Sequence, residues 1–157
     1  MNRIKSNRIL NKIAWTASVT AIAELALSQL SIKMTRLSSV ETTGISLFAF
    51  IIFSLVTLFA VTRMKENAGG KIFAAAMNFA TSLAAAWYLL LIFSDRIFFR
   101  SLYYTLNRQT QNYELLPAGE RIFASVPLAL IIAGALIYLA CGITILAAAL
   151  SGGNSGE

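Results

Sequence analysis

KIAWTASVTAIAELALSQLS, residues 12 to 31, is an apolar run with a carboxylate, Glu24, near its middle. Between Ile13 and Ile32 no other residue is charged. At about 1.5 Å per residue, a helix of that length covers about 30 Å, the hydrocarbon thickness of a bilayer. Thr16, Ser18, Thr20, Ser28 and Gln29 lower its hydropathy, so the run reads as a span held by neighbouring helices rather than by lipid. Ala14, Ala17, Ala21, Glu24, Ser28 and Ser31 recur at steps of three and four. Small residues on one seam let helix backbones approach closely, the usual packing device within a bilayer. Glu24 lies on that seam and is therefore expected in the interior. Beside it runs a row at steps of four, Lys12, Thr16, Thr20, Glu24 and Ser28, stacked one above another on a helix.

The chain before this run, residues 1 to 12, holds Arg3, Lys5, Arg8 and Lys12 and no acid. A secretory signal ending near Ala21-Ile22-Ala23 and an organelle presequence both fit such a basic start. The apolar run continues past that point to a full span, so the segment is read as an uncleaved cytoplasmic tail. Downstream, three further apolar stretches follow at about 44–62, 72–94 and 122–150. The second is uncharged; Ser46, Ser54 and Thr57 share a face expected to turn inward, and Phe48, Phe50, Phe53 and Phe59 suit lipid or gap filling. Arg63 to Lys71, with Gly69-Gly70, reads as a tight hairpin. The third stretch is small-residue rich, with Asn78, Thr81, Ser82 and Ala85 on one face. In the fourth, small triplets recur every seven residues around Gly134, Cys141 and Ala148, with Gly142 beside the second. Such a period holds one face on a partner helix. Pro127 permits a kink or a later helix start. Residues 95–120 form a longer polar loop, whose first part either continues the third helix or lies as an amphipathic segment on the membrane surface.

Of the 157 residues, 57% are hydrophobic and 13% charged, against a usual charged share of about 25%. That balance belongs to a membrane protein. The net charge of +6 does not point to nucleic acid, because the bases sit in small groups at the ends of apolar runs, where they set topology and favour anionic lipid. The single cysteine, Cys141, excludes an internal disulfide. The chain has no histidine, which removes the commonest general base, zinc ligand and haem ligand. No phosphate-binding glycine loop, metal-ligand cluster or nucleophile–base pair is present, so neither enzyme activity, metal nor cofactor is expected.

The expected fold is all-α: an integral membrane four-helix bundle, one transmembrane domain with spans at about 13–32, 44–62, 72–94 and 122–150. The basic first segment places both termini in the cytoplasm. The membrane is expected to be a bacterial inner membrane or that of an organelle. Glu24 is the one acid expected within the membrane, and two readings stay open: a proton or ion site, or a protonated acid that pins packing. Depth along the helices makes Thr20, Asn78, Thr81, Ser82 and Ser54 its candidate polar partners. Ala14, Ala17, Ala21, Ser28, Gly134, Cys141, Gly142 and Ala148 form the packing seam. The segment AIAELALSQLSIK, Ala21 to Lys33, resembles the first helix of the small multidrug resistance transporters. That resemblance would carry over Glu24 alone, as a shared proton and substrate site. The glycine- and tryptophan-containing motifs of that family's second and third spans are not found here, and the loop from Asp95 to Glu120 is longer. The preferred expectation is a structural subunit, assembly or interaction partner within a membrane complex, with lipid and a protein partner or a second copy around it. A proton-coupled transporter or channel-like protein using Glu24 is the alternative, and a membrane immunity or inhibitor protein a third.

Overall fold

The computed structural model describes residues 2–32, 38–64, 67–94, 103–107 and 109–151. They form four long helices, α1 (Asn2–Ile32), α2 (Ser38–Arg63), α3 (Ala68–Ser94) and α4 (Ala118–Ser151), and one short hairpin of β1 (Tyr104–Leu106) and β2 (Tyr113–Leu115). Among the described residues the structure is thus all-helical apart from that hairpin and its connecting loops. Each helix overlaps one of the apolar runs, and all four begin earlier than the run does. Helix α1 starts at Asn2, so the basic segment is helical rather than a separate tail. Helix α2 starts at Ser38 rather than Gly44. Helix α4 starts at Ala118 and runs through Pro127, which marks neither its start nor a break. Apolarity reports what is buried or in lipid, whereas backbone hydrogen bonding extends each helix into polar flanks.

Local chemistry fixes two of the helix starts. At α3, Asn67 is the cap: its side-chain oxygen accepts from the Gly70 amide at 3.2 Å, and its carbonyl accepts from Lys71 at 3.3 Å. Asparagine at this position satisfies an amide the helix cannot. Gly69 and Gly70 therefore lie in the first turn of α3 and not in the turn before it, a correction to the sequence reading. At α4, the Pro117 carbonyl accepts from the Arg121 amide at 3.0 Å.

Helix α4 is packed on two sides, by α3 most extensively and by α1; α2 packs on α3, and α1 touches α2 over a smaller area. Cross-helix pairs show that these neighbours run antiparallel. Ser82 meets Ala135 while Phe79 meets Gly142, and Thr57 meets Met77 while Phe53 meets Thr81. The core divides into two apolar clusters. One gathers Ala14, Ala21, Phe50, Ala85, Tyr88, Ile92, Ile131 and Tyr138; the other gathers Val61, Met64, Ala74, Ala75 and Ile145.

Two helices, α3 over Ala68–Phe93 and α4 over its length, are long and apolar enough to cross a membrane. Only 28% of the apolar stretch of α3 and 44% of that of α4 is buried, so these helices are not sheltered inside a soluble core. Their outward side chains are large and apolar: Ile72, Phe73, Leu83, Trp87 and Leu90 on α3, and Ile132, Leu136, Leu139 and Ile143 on α4. A surface of this kind far exceeds the apolar patches that monomeric soluble proteins expose.

The small-residue seam of α4 is where two neighbours come closest. A Cβ on Gly134 would lie 2.6 Å from the Ser18 hydroxyl oxygen, and one on Gly142 would lie 2.9 Å from the edge of the Phe79 ring, with two more ring atoms at 3.1 Å. A serine hydroxyl can rotate away; a packed ring cannot. Gly134→Ala is therefore expected to stay within about 1 kcal/mol of the wild type, its helix-propensity gain offsetting the contact. Gly142→Ala is expected to lose about 1–3 kcal/mol, the usual cost of overpacking. Leu at either glycine should disrupt folding far more than Leu136→Ala on the outward face. Unfolding in detergent measures all five, and equal effects of alanine at the two glycines would contradict the geometry.

Candidate functional site

The seam of α1 is rotated from the expected one. Its buried residues are Asn7, Asn11, Ala14, Ser18, Ala21 and Ile22. Ala14 and Ala21 belong to both readings, but the positions between and beyond them are 11 and 18 rather than 17 and 24. Ala17 is half-buried and Glu24 is exposed. A heptad pattern anchored at 14 and 21 can close on either side of that line, and one residue is about 100° on a helix. The side chain that Gly134 accommodates is Ser18, which selects the second solution and turns Glu24 outward. The expectation that Glu24 lies inside is corrected accordingly. Ser28 lies in α1, but its side chain falls outside the described residues.

The row at steps of four is an outer face: Lys12, Thr16, Thr20 and Glu24 are all exposed. The Thr16 hydroxyl donates to the Lys12 carbonyl and the Thr20 hydroxyl to the Thr16 carbonyl, both at 2.9 Å. Each threonine is satisfied within its own helix. No hydrogen bond joins Glu24 to Thr20, Asn78, Thr81, Ser82 or Ser54. Ser54, Asn78, Thr81 and Ser82, grouped with Glu24 by depth, are separated from it by the rotation of α1, whereas Thr20 shares its outer face.

Of the five, Thr81 and Ser82 bond across helices in the interior. Ser54, Thr57, Asn78 and Thr81 are fully buried. The Thr57 and Thr81 hydroxyls hydrogen-bond each other across α2 and α3, and both lie 2.8 Å from the Met77 carbonyl oxygen. Thr81 is also 3.1 Å from the Phe53 carbonyl. Two hydroxyl protons are thus shared among acceptors on two helices. Ser82 donates to the Ala135 carbonyl at 3.0 Å, tying α3 to α4. The Asn78 amide donates to Ala74 at 2.8 Å. On the seam of α4, Gly134, Cys141 and Gly142 are buried and Ala148 is half-buried.

Sequence reasoning missed four features. Asn7 and Asn11 are buried although they precede the apolar run; their spacing of four, ending three before Ala14, was the available signal. Tyr138 is fully enclosed, with its hydroxyl end near Ser54 and Cys141 but without the geometry of a full hydrogen bond to Ser54. The Arg8 guanidinium donates to the Met64 carbonyl at 2.7 Å, just past the end of α2, where helix carbonyls lack intrahelical partners and the dipole favours a cation. The fourth is the hairpin. Tyr104 pairs with Leu115, Thr105 with Glu114 and Leu106 with Tyr113. Its loop is closed by Asn107, whose side chain donates to Glu114 at 2.7 Å and accepts from the Gln109 amide at 2.9 Å. Gln111 takes a left-handed φ of 56°. The matched segments YTL and YEL, either side of NRQTQN, were the legible sign. Tyr104–Leu106 are therefore strand rather than part of the helical or surface-lying segment expected over 95–106; residues 95–102 lie outside the described residues.

Among the described residues, no three carboxylate or thiol side chains are placed to hold a metal ion. No family model matches the chain, and no curated protein or solved structure is significantly similar to it.

The shared hydroxyl network gives a direct test. Thr57→Val and Thr81→Val keep shape and remove one hydroxyl each. Each is expected to cost about 0.6–2 kcal/mol, the range for intramembrane hydrogen bonds. The double variant should cost less than the sum, because the two groups share partners. Strict additivity in an unfolding titration would show that the two hydroxyls act separately.

Proposed function

We propose that the protein is a four-span membrane bundle that serves as a subunit or interaction partner in a membrane complex, and that the outer face of α1 is where the partner helix lies. One observation carries this reading: Glu24 projects outward from within the apolar run of α1, while the outward faces of α3 and α4 are apolar. The threonines of that face are satisfied by their own backbone and tolerate lipid. A carboxylate does not, and at a helix centre it costs about 2.5–3.5 kcal/mol on insertion scales. The inner side of α1 is already occupied by α4 and α2. What covers Glu24 thus comes from outside this chain, as a helix presenting a hydroxyl, amide or basic side chain at that depth. Transport through a single copy of the chain finds less support, since Glu24 has none of the interior polar groups beside it.

Photo-crosslinking in native membranes separates the readings. A crosslinker at Thr20 or Ala23, exposed positions just before Glu24, is expected to give a discrete protein adduct, whereas one at Leu83 or Leu136 gives none. Glu24→Gln should preserve the adduct and Glu24→Leu should lose it, with folding unchanged in both. Lipid-only labelling at Thr20 and Ala23 would sink the docking reading. A well-folded Glu24→Gln protein that keeps its adduct but loses a pH-dependent flux would favour transport. The four-span arrangement has its own check. With Cys141 replaced by Ser, cysteines introduced at Thr110 and Ser151 should label from opposite sides of the membrane; labelling of both from one side would rule the arrangement out.

A further inference from the structure

The two apolar clusters of the core are separated by a layer to which every helix contributes a buried polar side chain. On α1, Asn11 lies between Ile4 of one cluster and Ala14 of the other; on α2, Ser54 and Thr57 lie between Phe50 and Val61. On α3, Asn78 and Thr81 lie between Ala75 and Ala85, and on α4 the Tyr138 hydroxyl is directed towards Ser54 and Cys141. The antiparallel contacts hold these positions level. Ala14 and Ser18 face Gly134, so the antiparallel register puts Asn11 level with Tyr138 and Cys141, and Phe79 at Gly142 brings Asn78 to the same height.

Within this layer, one residue from each helix carries polar atoms without a hydrogen-bond partner: both side-chain atoms of Asn11, the Ser54 hydroxyl, Asn78 Oδ1 and the Tyr138 hydroxyl. All four residues are fully buried. Buried polar atoms are almost always satisfied, and each one left alone is costly. We infer that this layer is an internal hydration site, holding an ordered water cluster enclosed between the two apolar clusters. The donor set identifies the ligand. Asn11 Nδ2 only donates, the two amide oxygens only accept, and the two hydroxyls do either. A cation would satisfy the acceptors and be repelled by the Asn11 amide. An anion would find no positive charge among these groups. Water matches donors and acceptors together, and buried waters typically make about three such bonds. The inference does not depend on how the outer face of α1 is covered.

Radiolytic hydroxyl-radical labelling of the purified full chain in lipid nanodiscs, in ¹⁸O water, tests it. Radicals form from water at the site, so a buried tyrosine beside bound water is oxidised while one in a dry core is not. Tyr138 is expected to label several-fold faster than Tyr88, which is equally buried in the same cluster but whose hydroxyl is not one of the unpartnered atoms of the layer. In Asn11→Leu/Asn78→Leu the Tyr138 rate should fall towards that of Tyr88. A wild-type Tyr138 that labels no faster than Tyr88 overturns the inference, as does a folded double variant with an unchanged ratio. If the double variant does not fold, the wild-type ratio decides alone.

Discussion

Helix α4 is approached closely from two sides, and each approach requires a position with no side chain. Gly134 admits Ser18 of α1, and Gly142 admits the ring of Phe79 on α3. These glycines are eight residues apart, slightly more than two turns, yet they serve different neighbours. The two approaches are coupled, because both define the axis of one helix. If α4 shifts to relieve one contact, it opens the other. Interiors packed at crystal-like density transmit such shifts rather than absorb them. The positions of α1 and α3 relative to each other therefore follow from α4, and α2 follows in turn from α3.

Polar groups then do what apolar packing cannot in a lipid-like surrounding. Where there is little hydrophobic drive to bring greasy helices together, side chains that borrow a neighbour's carbonyl supply direction. Ser82 takes Ala135, Thr57 takes Met77, and Thr81 reaches Phe53. Each acceptor already serves its own helix and offers its second lone pair, so no ladder is broken. These bonds fix the register of α3 against α2 and α4, while the glycines fix distance. The exterior follows the opposite rule, with large apolar side chains on α3 and α4.

Much of this was legible in the sequence, because helix existence depends on long apolar runs and small-residue spacing. The four helices, the inward turn of Ser54 and Thr57, the outward Phe48 and Phe59 and the close approach at Gly134 and Gly142 all follow from periodicity. The face of α1 did not. Ala14, Ala17, Ser18 and Ala21 are all small, so spacing alone allowed two rotations about 100° apart, and only the partner chosen by Gly134 separates them. Asn7 and Asn11 were hidden because asparagine ahead of an apolar run resembles a solvated flank. Tyr138 was hidden among greasy neighbours, where its ring reads as filler and its hydroxyl goes unnoticed. The hairpin was illegible for a different reason: three-residue strands carry too few alternations for a period to emerge.

The order in which the chain is made bears on α1 in particular. Its principal partner, α4, begins only at Ala118, after α1, α2 and α3 have been synthesised. Until then Asn7, Asn11 and Ser18 have little against which to bury, and α2 covers only a lesser part of that face. Helices α2 and α3, joined by a short turn, pair early, whereas α1 must wait for a contact that spans almost the whole sequence. Long separations of this kind slow assembly and leave the waiting element open to chaperones and proteases. Helix α1, made before the other three, is thus among the last to be secured, and a truncation that removes α4 withdraws the support of a helix far from it in the sequence.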